Sequence, residues 1–179
     1  MTEITVRRLG EEDWDEYRRT RLHALKESPE AFVASAEEEE GYPEERWRDR
    51  MRRSQRLLAE RQGTALGVAS VGSENTNDDA IGELFGLWVS PDARGSGVAR
   101  RLLEAGARAA REDNMRHLVY WVGTDNGRAV AFASSFGFRP TDNRRPMPIR
   151  GAEAPDEDAE EMAMVLPLGS SPGNIPTSL

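Results

Sequence analysis

The feature that most constrains the fold is an apolar run that leads through a glycine-rich turn into an amphipathic helix. Ile81 to Val89 is the most apolar stretch of the chain, and its length suits a buried central strand. Pro91 and Asp92 end that strand. Beyond the turn, apolar residues recur on one face of a helix predicted from Gly97 to Glu112. With the apolar strand predicted at His117 to Val122, this segment indicates a β-α-β unit.

The turn itself, Arg94-Gly95-Ser96-Gly97-Val98-Ala99-Arg100, has the chemistry of an anion site. The first amides of a helix have no carbonyl partner inside it, and the helix dipole adds about half a positive charge there. Gly95 and Gly97 keep side chains away, so phosphate oxygens can approach these amides closely. Arg94 and Arg100 can add charge-assisted hydrogen bonds. The sequence therefore predicts a pyrophosphate site.

Other interpretations of the glycine turn stay open at this point. The tripeptide Gly95-Ser96-Gly97 can be no more than a flexible helix start. A Walker loop is excluded because no Gly-Lys-Ser/Thr follows. A dinucleotide fold requires a third glycine or alanine where Arg100 stands, and it normally places the motif after the first strand. A nucleotide-binding protein that uses the same turn is a third, weaker hypothesis.

Hydrophobic periodicity predicts the remaining elements. Further strands are expected at Glu3 to Leu9, Gln55 to Arg61, Thr64 to Ser73, from Phe138 onwards, and at Glu161 to Leu166. Further helices are expected at Glu11 to Glu27, Pro43 to Arg53 and Asn126 to Phe136. Phe32 to Tyr42 is expected to be an irregular surface connector, and Thr141 to Glu157 a long loop. The order predicts an α/β fold with a mixed, mostly antiparallel central sheet and helices on both faces.

Length and composition indicate a single domain at residues 1–168, and the Ser/Pro/Gly-rich segment 169–179 is expected to be a disordered tail. The absence of cysteine excludes disulfides and a thiolate nucleophile. No signal-peptide core or membrane-length apolar run is seen, so the cytoplasm is expected. A net charge of −8, with 24 basic residues interspersed among 32 acidic ones, argues against a nucleic-acid partner.

Two motifs in order resemble those of the GNAT acyltransferases. Arg94, Gly97 and Ala99 stand at the signature positions of R/Q-x-x-G-x-G/A, after a V-x-P-D lead-in. Asn126-Gly127-Arg128-Ala129 and Phe136-Gly137-Phe138 resemble the family's N-x-x-A…G-F segment. Together with the order of elements, the resemblance covers roughly residues 3–168.

The resemblance implies an N-acetyltransferase that uses acetyl-CoA as cosubstrate and a primary amine as acceptor, by direct attack on the thioester. Backbone groups of Leu87, Trp88 and Val89 are then expected to hold the pantetheine arm, and the amide of Val89 or Leu87 to polarise the thioester carbonyl. Asn126 is expected to bind pantetheine or a nearby backbone group; a helix N-cap is an equally good interpretation. A homodimer is left open.

Glu83 is the candidate general base. It shares a strand face with Ile81, Phe85 and Leu87, where a carboxylate is out of keeping, and desolvation raises a carboxylate's pKa. It also stands eleven residues before Arg94, the position at which the resemblance places a glutamate base in histone acetyltransferases. The alternatives are an ion pair with an arginine, solvent exposure at a strand end, or deprotonation of the amine through water.

The general acid is where the sequence departs from the family. The position seven residues after the asparagine, often tyrosine, is Ala133. Ser134 or Ser135 can substitute, bind the coenzyme, or simply be small helix residues, and a water can protonate a CoA thiolate. This departure favours a second hypothesis, a catalytically weak acyl-CoA-binding sensor or interaction module.

The resemblance places the acceptor cleft at Pro29 to Trp47 and Asn143 to Glu157. Candidate cleft residues are Phe32, Ser35, Tyr42 and Trp47, with Arg144, Arg145 and Arg150 as ligands for an acceptor carboxylate or the coenzyme's 3′-phosphate. The run Glu37 to Glu40 can attract a cationic amine or form a solvated face. Trp14 and Trp47 are also expected as core anchors. His23 and His117 are expected to be structural, with no metal site.

Overall fold

The computed structural model describes residues 3–32, 34–73, 80–147 and 159–169. Within these ranges the strands are β1 (Thr5–Leu9), β2 (Gln55–Arg61), β3 (Thr64–Ser73), β4 (Ile81–Val89), β5 (His117–Gly123), β6 (Arg139–Pro146) and β7 (Glu160–Pro167). The helices are α1 (Trp14–Glu27), α2 (Ala36–Glu40), α3 (Glu44–Arg53), α4 (Val98–Glu112) and α5 (Gly127–Phe136). No helix among the described residues is long and apolar enough to cross a membrane.

The strands hydrogen-bond in the order β1-β2-β3-β4-β5-β7-β6. The pairs β1–β2, β2–β3, β5–β7 and β6–β7 are antiparallel, whereas β4 and β5 are parallel. A parallel pair requires a crossover, and α4 lies between β4 and β5 in the chain. The predicted α/β fold with a mixed, mostly antiparallel sheet is confirmed.

The chain forms two compact units, and β4 contributes to both. The first unit comprises Met1–Gly72 and Phe85–Ala109, and the second comprises Ser73–Leu84 and Ala110–Leu179. The expected tail lies outside the described residues beyond Gly169, so the predicted boundary at residue 168 stays a prediction.

In the first unit, helices pack against both faces of the strands. Leu58 and Val68 face each other across β2 and β3 and belong to a core cluster with Trp47 of α3. Gly67, the next residue of β3, points the other way, and a Cβ placed there would lie 3.1 Å from Val98 and 3.2 Å from Leu102 of α4. The same Cβ would lie only 2.7 Å from the carbonyl oxygen of Trp88, so glycine permits the close approach of backbone and helix.

Two predictions about aromatic residues have different outcomes. Trp47 is completely buried and Trp14 packs against the same cluster, which confirms both as anchors of the core. Phe32 also lies in this cluster. Phe32 and Trp47 therefore do not line an acceptor cleft, because their rings are used to bury apolar surface between helices.

The predicted irregular connector is wrong, because residues 36–40 form α2. Ser35 is its N-cap, and its hydroxyl oxygen accepts a hydrogen bond from the amide of Glu38 at 3.1 Å. The expectation of a solvated acidic face is wrong for Glu39, whose side chain is only 3% exposed. Arg21 of α1 donates to Glu39 at 3.1 Å and Arg50 of α3 at 2.7 Å. A buried carboxylate requires such partners, since desolvation otherwise disfavours its charge.

In the second unit, β6 replaces part of the predicted loop. Arg139–Pro146 pairs with β7 in an antiparallel ladder that is irregular between Pro140 and Arg144. The hydroxyl of Thr141 donates to the carbonyl oxygen of Ala163 at 2.7 Å within that irregular region. The remainder of the predicted loop, residues 148–158 including Arg150, lies outside the described residues.

The buried face of α5 is centred on Ala133. Ala133 is fully buried, whereas Ala129 and Phe132 are half-buried. Gly137 ends the helix with φ +124°, as expected of a C-terminal glycine. Phe138 follows it into the core and packs edge-on against Tyr120 of β5.

Candidate active site

The glycine turn is held between β4 and α4 in the first unit. Residues 91–93 form a single 3₁₀ turn, and Val98 begins α4. Gly95 and Gly97 have φ +83° and +90°, in the left-handed region that favours glycine. A Cβ at either position would meet none of the described residues within 4 Å, so these residues leave the space beside this backbone open.

Several amides of this turn have no partner in the part of the chain that the structure describes. Among the described residues, the amides of Gly95, Gly97, Val98 and Ala99 donate to no acceptor. Helical bonding begins with Arg101, whose amide donates to the carbonyl oxygen of Gly97 at 3.1 Å. A cluster of unused amides beside open space, at the positive end of a helix dipole, is a suitable site for a phosphate.

Ser96 differs from its neighbours in the turn. Its amide donates to the carbonyl oxygen of Ala93 at 3.3 Å, and its hydroxyl donates to the same oxygen. Both donors thus stabilise the turn. The open amides lie on either side of Ser96 in the chain.

Arg94 and Arg100 occupy different surroundings. Arg94 donates from Nε to the carbonyl oxygen of Val89 at 3.1 Å, and its terminal nitrogen lies 3.3 Å from the hydroxyl oxygen of Ser28. Arg100 lies exposed in the first turn of α4, with its Nε 3.7 Å from Glu104. Arg94 therefore holds the turn in place, while Arg100 can supply charge at the helix start.

The end of β4 combines a buried indole with a kinked backbone. The Trp88 indole N–H donates to Ser28 at 3.1 Å, and its ring packs edge-on against His23. Leu87 and Val89, on the opposite side of the strand, are half-buried. Gly86 has φ +63°, which the sequence analysis missed, although an isolated glycine within an apolar strand is the usual signal of such a bend.

Glu83 lies in the second unit, on the parallel ladder that pairs Ile81–Leu84 with His117–Tyr120. Its side chain is 23% exposed, and Oε1 lies 3.8 Å from a terminal nitrogen of Arg145. The ion pair with an arginine, one of the alternatives to the base role, is therefore present. Arg145 in turn donates from Nε to Glu161 at 2.7 Å and lies over the ring of Trp121, 4.1 Å from its centroid.

The residues of α5 have their own partners. The side-chain oxygen of Asn126 accepts a hydrogen bond from the amide of Ala129 at 3.2 Å, which is the N-cap interpretation. Ala133 offers no hydroxyl, and the hydroxyl of Ser135 donates to the carbonyl oxygen of Phe132 at 2.7 Å. Ser134 is exposed.

Of the predicted acceptor residues, Tyr42 borders a cavity of about 470 Å³ in the first unit, which is also lined by Glu39, Arg46, Asp49, Arg50 and Arg53. The guanidinium of Arg46 lies 3.7 Å over the Tyr42 ring. Glu39 is occupied by its own arginines, so it is not available to attract an amine. In the described part of the chain, no group of three acidic or histidine side chains could hold a metal ion.

The structure therefore assigns the predicted site residues to two groups. Residues 87–89 and 94–100 lie in the first unit, and Glu83 and Asn126 lie in the second. The sequence analysis missed Trp121 and Glu161, which contact Arg145 beside Glu83. The β5–β7 register places Trp121 opposite Ala163, and the β6–β7 register places Arg145 opposite Glu161. Both registers could be known only from the strand pairing.

Sequence comparison agrees with this architecture. The model of the acetyltransferase (GNAT) family matches residues 8–138, which is most of the chain. The chain belongs to this family.

Two named relatives are mycothiol acetyltransferases. The protein from Cellulomonas flavigena is 28% identical over 137 residues, which cover 73% of this chain and 38% of the relative. The protein from Acidothermus cellulolyticus is 35% identical over 77 residues, which cover 43% of this chain and 24% of the relative. The matched region thus spans well under half the length of these relatives.

Solved structures show the same fold. YncA from Salmonella typhimurium, solved with its cofactor acetyl-CoA, is 20% identical with a TM-score of 0.69, covering 95% of this chain and 96% of its own. The ribosomal-protein-S18-alanine N-acetyltransferase of Escherichia coli is 18% identical with a TM-score of 0.68, covering 97% of this chain and 99% of its own.

Proposed function

We propose that this protein transfers an acetyl group from acetyl-CoA to a primary amine by direct attack of the amine on the thioester. The observation that carries the proposal is the open turn before α4, where the amides of Gly95, Gly97, Val98 and Ala99 have no acceptor among the described residues. Family membership supports the same activity.

In the binding step, those amides hold the pyrophosphate of the coenzyme. Arg100, in the exposed first turn of α4, adds positive charge, and Arg94 fixes the turn through Val89 and Ser28. The backbone of Leu87, Trp88 and Val89 holds the pantetheine arm as an added strand does. Asn126, whose side-chain oxygen caps α5, hydrogen-bonds the pantetheine arm or a nearby backbone group.

In the chemical step, the amine must lose a proton before its nitrogen can attack the thioester carbonyl. Glu83 accepts that proton, and the amide of Val89 or Leu87 stabilises the oxyanion of the tetrahedral intermediate. The carbon–sulfur bond then breaks and the CoA thiolate leaves, and the nitrogen gives its second proton to water as the amide forms. Water protonates the thiolate, because Ala133 provides no hydroxyl at the position where relatives often have tyrosine.

The proposal also covers the compartment and the assembly. We place the reaction in the cytoplasm, where thiols stay reduced, since the chain has no cysteine from which a disulfide framework could be built. A homodimer stays a prediction.

The direct test is a measurement of thiol release from acetyl-CoA over a panel of primary amines. We expect release to depend on the amine and to equal the amount of acetylated product detected by mass spectrometry. Release without product, or none above background with any amine, would contradict the proposed activity. A co-crystal with acetyl-CoA would then locate the acceptor cleft by its neighbouring density.

The second candidate function is an acyl-CoA-binding sensor or interaction module. The fully buried Ala133, in place of a hydroxyl-bearing residue, favours it. A sensor would bind acetyl-CoA in calorimetry but release no thiol with any amine. Competition between CoA and ATP in a thermal-shift assay addresses the weaker alternative, since a nucleotide-binding protein would be stabilised by ATP alone.

A further inference from the structure

Three arginines and one carboxylate form a largely buried network in the first unit. Glu39 of α2 accepts hydrogen bonds from Arg21 of α1 at 3.1 Å and from Arg50 of α3 at 2.7 Å. Arg56 of β2 joins them, because its Nε and a terminal nitrogen donate to the carbonyl oxygen of Arg50 at 3.3 and 3.0 Å. We call Arg21, Glu39, Arg50 and Arg56 the arginine network.

The arginine network has two positive charges in excess, since it contains three guanidinium groups and a single carboxylate. Arg56 is only 6% exposed and forms no ion pair with any described residue. Its remaining hydrogen bond goes to a neutral acceptor, the hydroxyl oxygen of Ser70, at 2.7 Å. Burial lowers the pKa of Arg56, which reflects the cost of a buried charge without a counterion. An anion close to the network would offset this cost.

A cavity of about 470 Å³ lies beside the arginine network and shares Glu39 and Arg50 with it. Its volume falls in the range of small-molecule sites. Arg46, Arg50 and Arg53 are spaced four and three residues apart on α3, so they share one face of that helix. The cavity lining carries three arginines and two carboxylates, and its other residue is a tyrosine. The cavity and the network thus have the same sign of excess charge.

Two side chains of the cavity have hydrogen-bond donors to offer. The guanidinium carbon of Arg46 lies 3.7 Å from the centroid of the Tyr42 ring, and in the described part of the chain Arg46 forms no ion pair. A guanidinium that lies on an aromatic face keeps the N–H groups of its edge available. The hydroxyl of Tyr42 likewise has no hydrogen-bond partner among the residues that the structure describes. Arg46 and Tyr42 can therefore donate to a ligand together.

We propose that this cavity binds a small anion with at least two acidic groups, a polycarboxylate or a phosphate ester, which is a ligand separate from the coenzyme. The planar fork of an arginine matches the oxygens of either group. The excess charge of the cavity and the network favours a ligand with more than one negative charge. Residues 94–100, to which we assign the coenzyme's pyrophosphate, do not line the cavity. The inference goes beyond the proposed acetyl transfer and does not rest on it.

The test is calorimetry on the full chain in the presence of saturating CoA and without an amine, so that the coenzyme site is filled and no turnover occurs. The probes are citrate as the polycarboxylate and glycerol 3-phosphate as the phosphate ester. Glycerol is the neutral analogue and putrescine is the cation. Thermal unfolding of each variant shows whether it is folded.

We expect an anion to bind while glycerol and putrescine do not, and the anion with the higher affinity identifies the class of ligand. Arg46→Gln should weaken its binding about tenfold, because a charged donor is lost. Arg52→Gln is the matched control, since it removes the same charge from the same helix outside the cavity, and it should change the affinity by less than about twofold. Asp49→Asn should tighten binding about fivefold, because it removes a carboxylate from the cavity lining.

Three results would overturn the inference. The first is that neither citrate nor glycerol 3-phosphate binds to the folded protein. The second is an equal loss of affinity in Arg46→Gln and Arg52→Gln, which would show attraction to the overall charge of α3. The third is binding that occurs only without CoA, since the anions would then occupy the coenzyme site. Because thiol release plays no part in these measurements, failure of the proposed acetyl transfer would leave the inference standing.

Discussion

The guanidinium of Arg94 donates to the carbonyl oxygen of Val89 at 3.1 Å, which ties the end of β4 to the turn that precedes α4. The same guanidinium lies 3.3 Å from Ser28, just beyond the end of α1. Three segments of the first unit are thereby fixed around the open amides. Arg94 thus acts on the site through the shape of the turn.

Replacing Arg94 with alanine should weaken acetyl-CoA binding about tenfold, because the turn is no longer held in its binding conformation. The unfolding free energy should fall by about 1–2 kcal/mol from the two lost hydrogen bonds. Calorimetry with acetyl-CoA and urea unfolding measure the two effects. Arg108→Ala, at an exposed position on α4, should change neither, and equal effects in both variants would contradict this role.

Replacing Gly97 with alanine should weaken acetyl-CoA binding more than tenfold, since the added Cβ projects into the open space and φ +90° is unfavourable for alanine. Gly97→Glu should abolish binding, because it also adds a negative charge. Gly63 offers the matched control, with φ +76° and nothing within 4 Å of an added Cβ.

Gly63→Ala in the β2–β3 turn should cost about 1–2 kcal/mol of stability, as Gly97→Ala does, while leaving the acetyl-CoA affinity unchanged. The comparison separates backbone strain from loss of the phosphate site. If both variants bind acetyl-CoA as the unmodified protein does, the pyrophosphate lies elsewhere.

Glu39→Gln should lower the unfolding free energy at pH 7 by about 3 kcal/mol, because Arg21 and Arg50 lose their shared buried counterion. Burial raises the pKa of Glu39, but hydrogen bonds from the two arginines outweigh it and hold the pKa below the usual 4.5. Because the pKa of Glu39 is lower in the folded than in the unfolded protein, its carboxylate stabilises the fold at pH values above the unfolded-state pKa. This stabilisation is lost as the pH falls through the folded-state pKa.

The difference between Glu39→Gln and the unmodified protein should therefore be constant near neutral pH and shrink below about pH 4.5. Urea unfolding across pH 3 to 8 measures it. Glu40→Gln, on the exposed side of α2, should change stability by less than about 0.5 kcal/mol. A difference that grows on acidification would contradict the proposed ionisation.

Glu83→Gln should lower the acetylation rate about a hundredfold at pH 7, since the alkylammonium then has no base to accept its proton. The deficit should shrink as the pH approaches about 10, where alkylamines carry less of their proton in solution. Rates of thiol release as a function of pH measure this. If Glu83→Gln lowers the rate by the same factor at every pH, Glu83 has a structural role and is not the base. The control variant Glu160→Gln should have the same rates as the unmodified enzyme.

Local patterns were sufficient for most of the fold. The apolar run Ile81–Val89 and the helix after it were predicted from periodicity, because each must bury a continuous apolar surface. The same reasoning failed for α2, where a run of glutamates suggested a solvated surface. Ser35 and Glu38 nevertheless have the three-residue spacing that is typical of a helix start.

The remaining errors concern partners distant in sequence. Glu39 is buried by arginines eighteen and eleven residues away, and no local pattern indicates that. The strand β6 is polar and contains prolines, so its propensity opposes a strand, and pairing with β7 overrides it. The surroundings of Glu83 likewise depend on the registers that bring Trp121 and Arg145 together.

If the open turn holds the coenzyme as proposed, its main-chain donors have a consequence for binding as conditions change. Peptide amides do not ionise in the physiological range, and their orientation is set by Gly95 and Gly97. A phosphate site made of main-chain amides therefore keeps its hydrogen-bond donors from mildly acidic to alkaline solution. Selection on the open turn then acts on its backbone conformation more than on the identity of its side chains. We expect Ser96 to vary among relatives wherever another side chain preserves the turn.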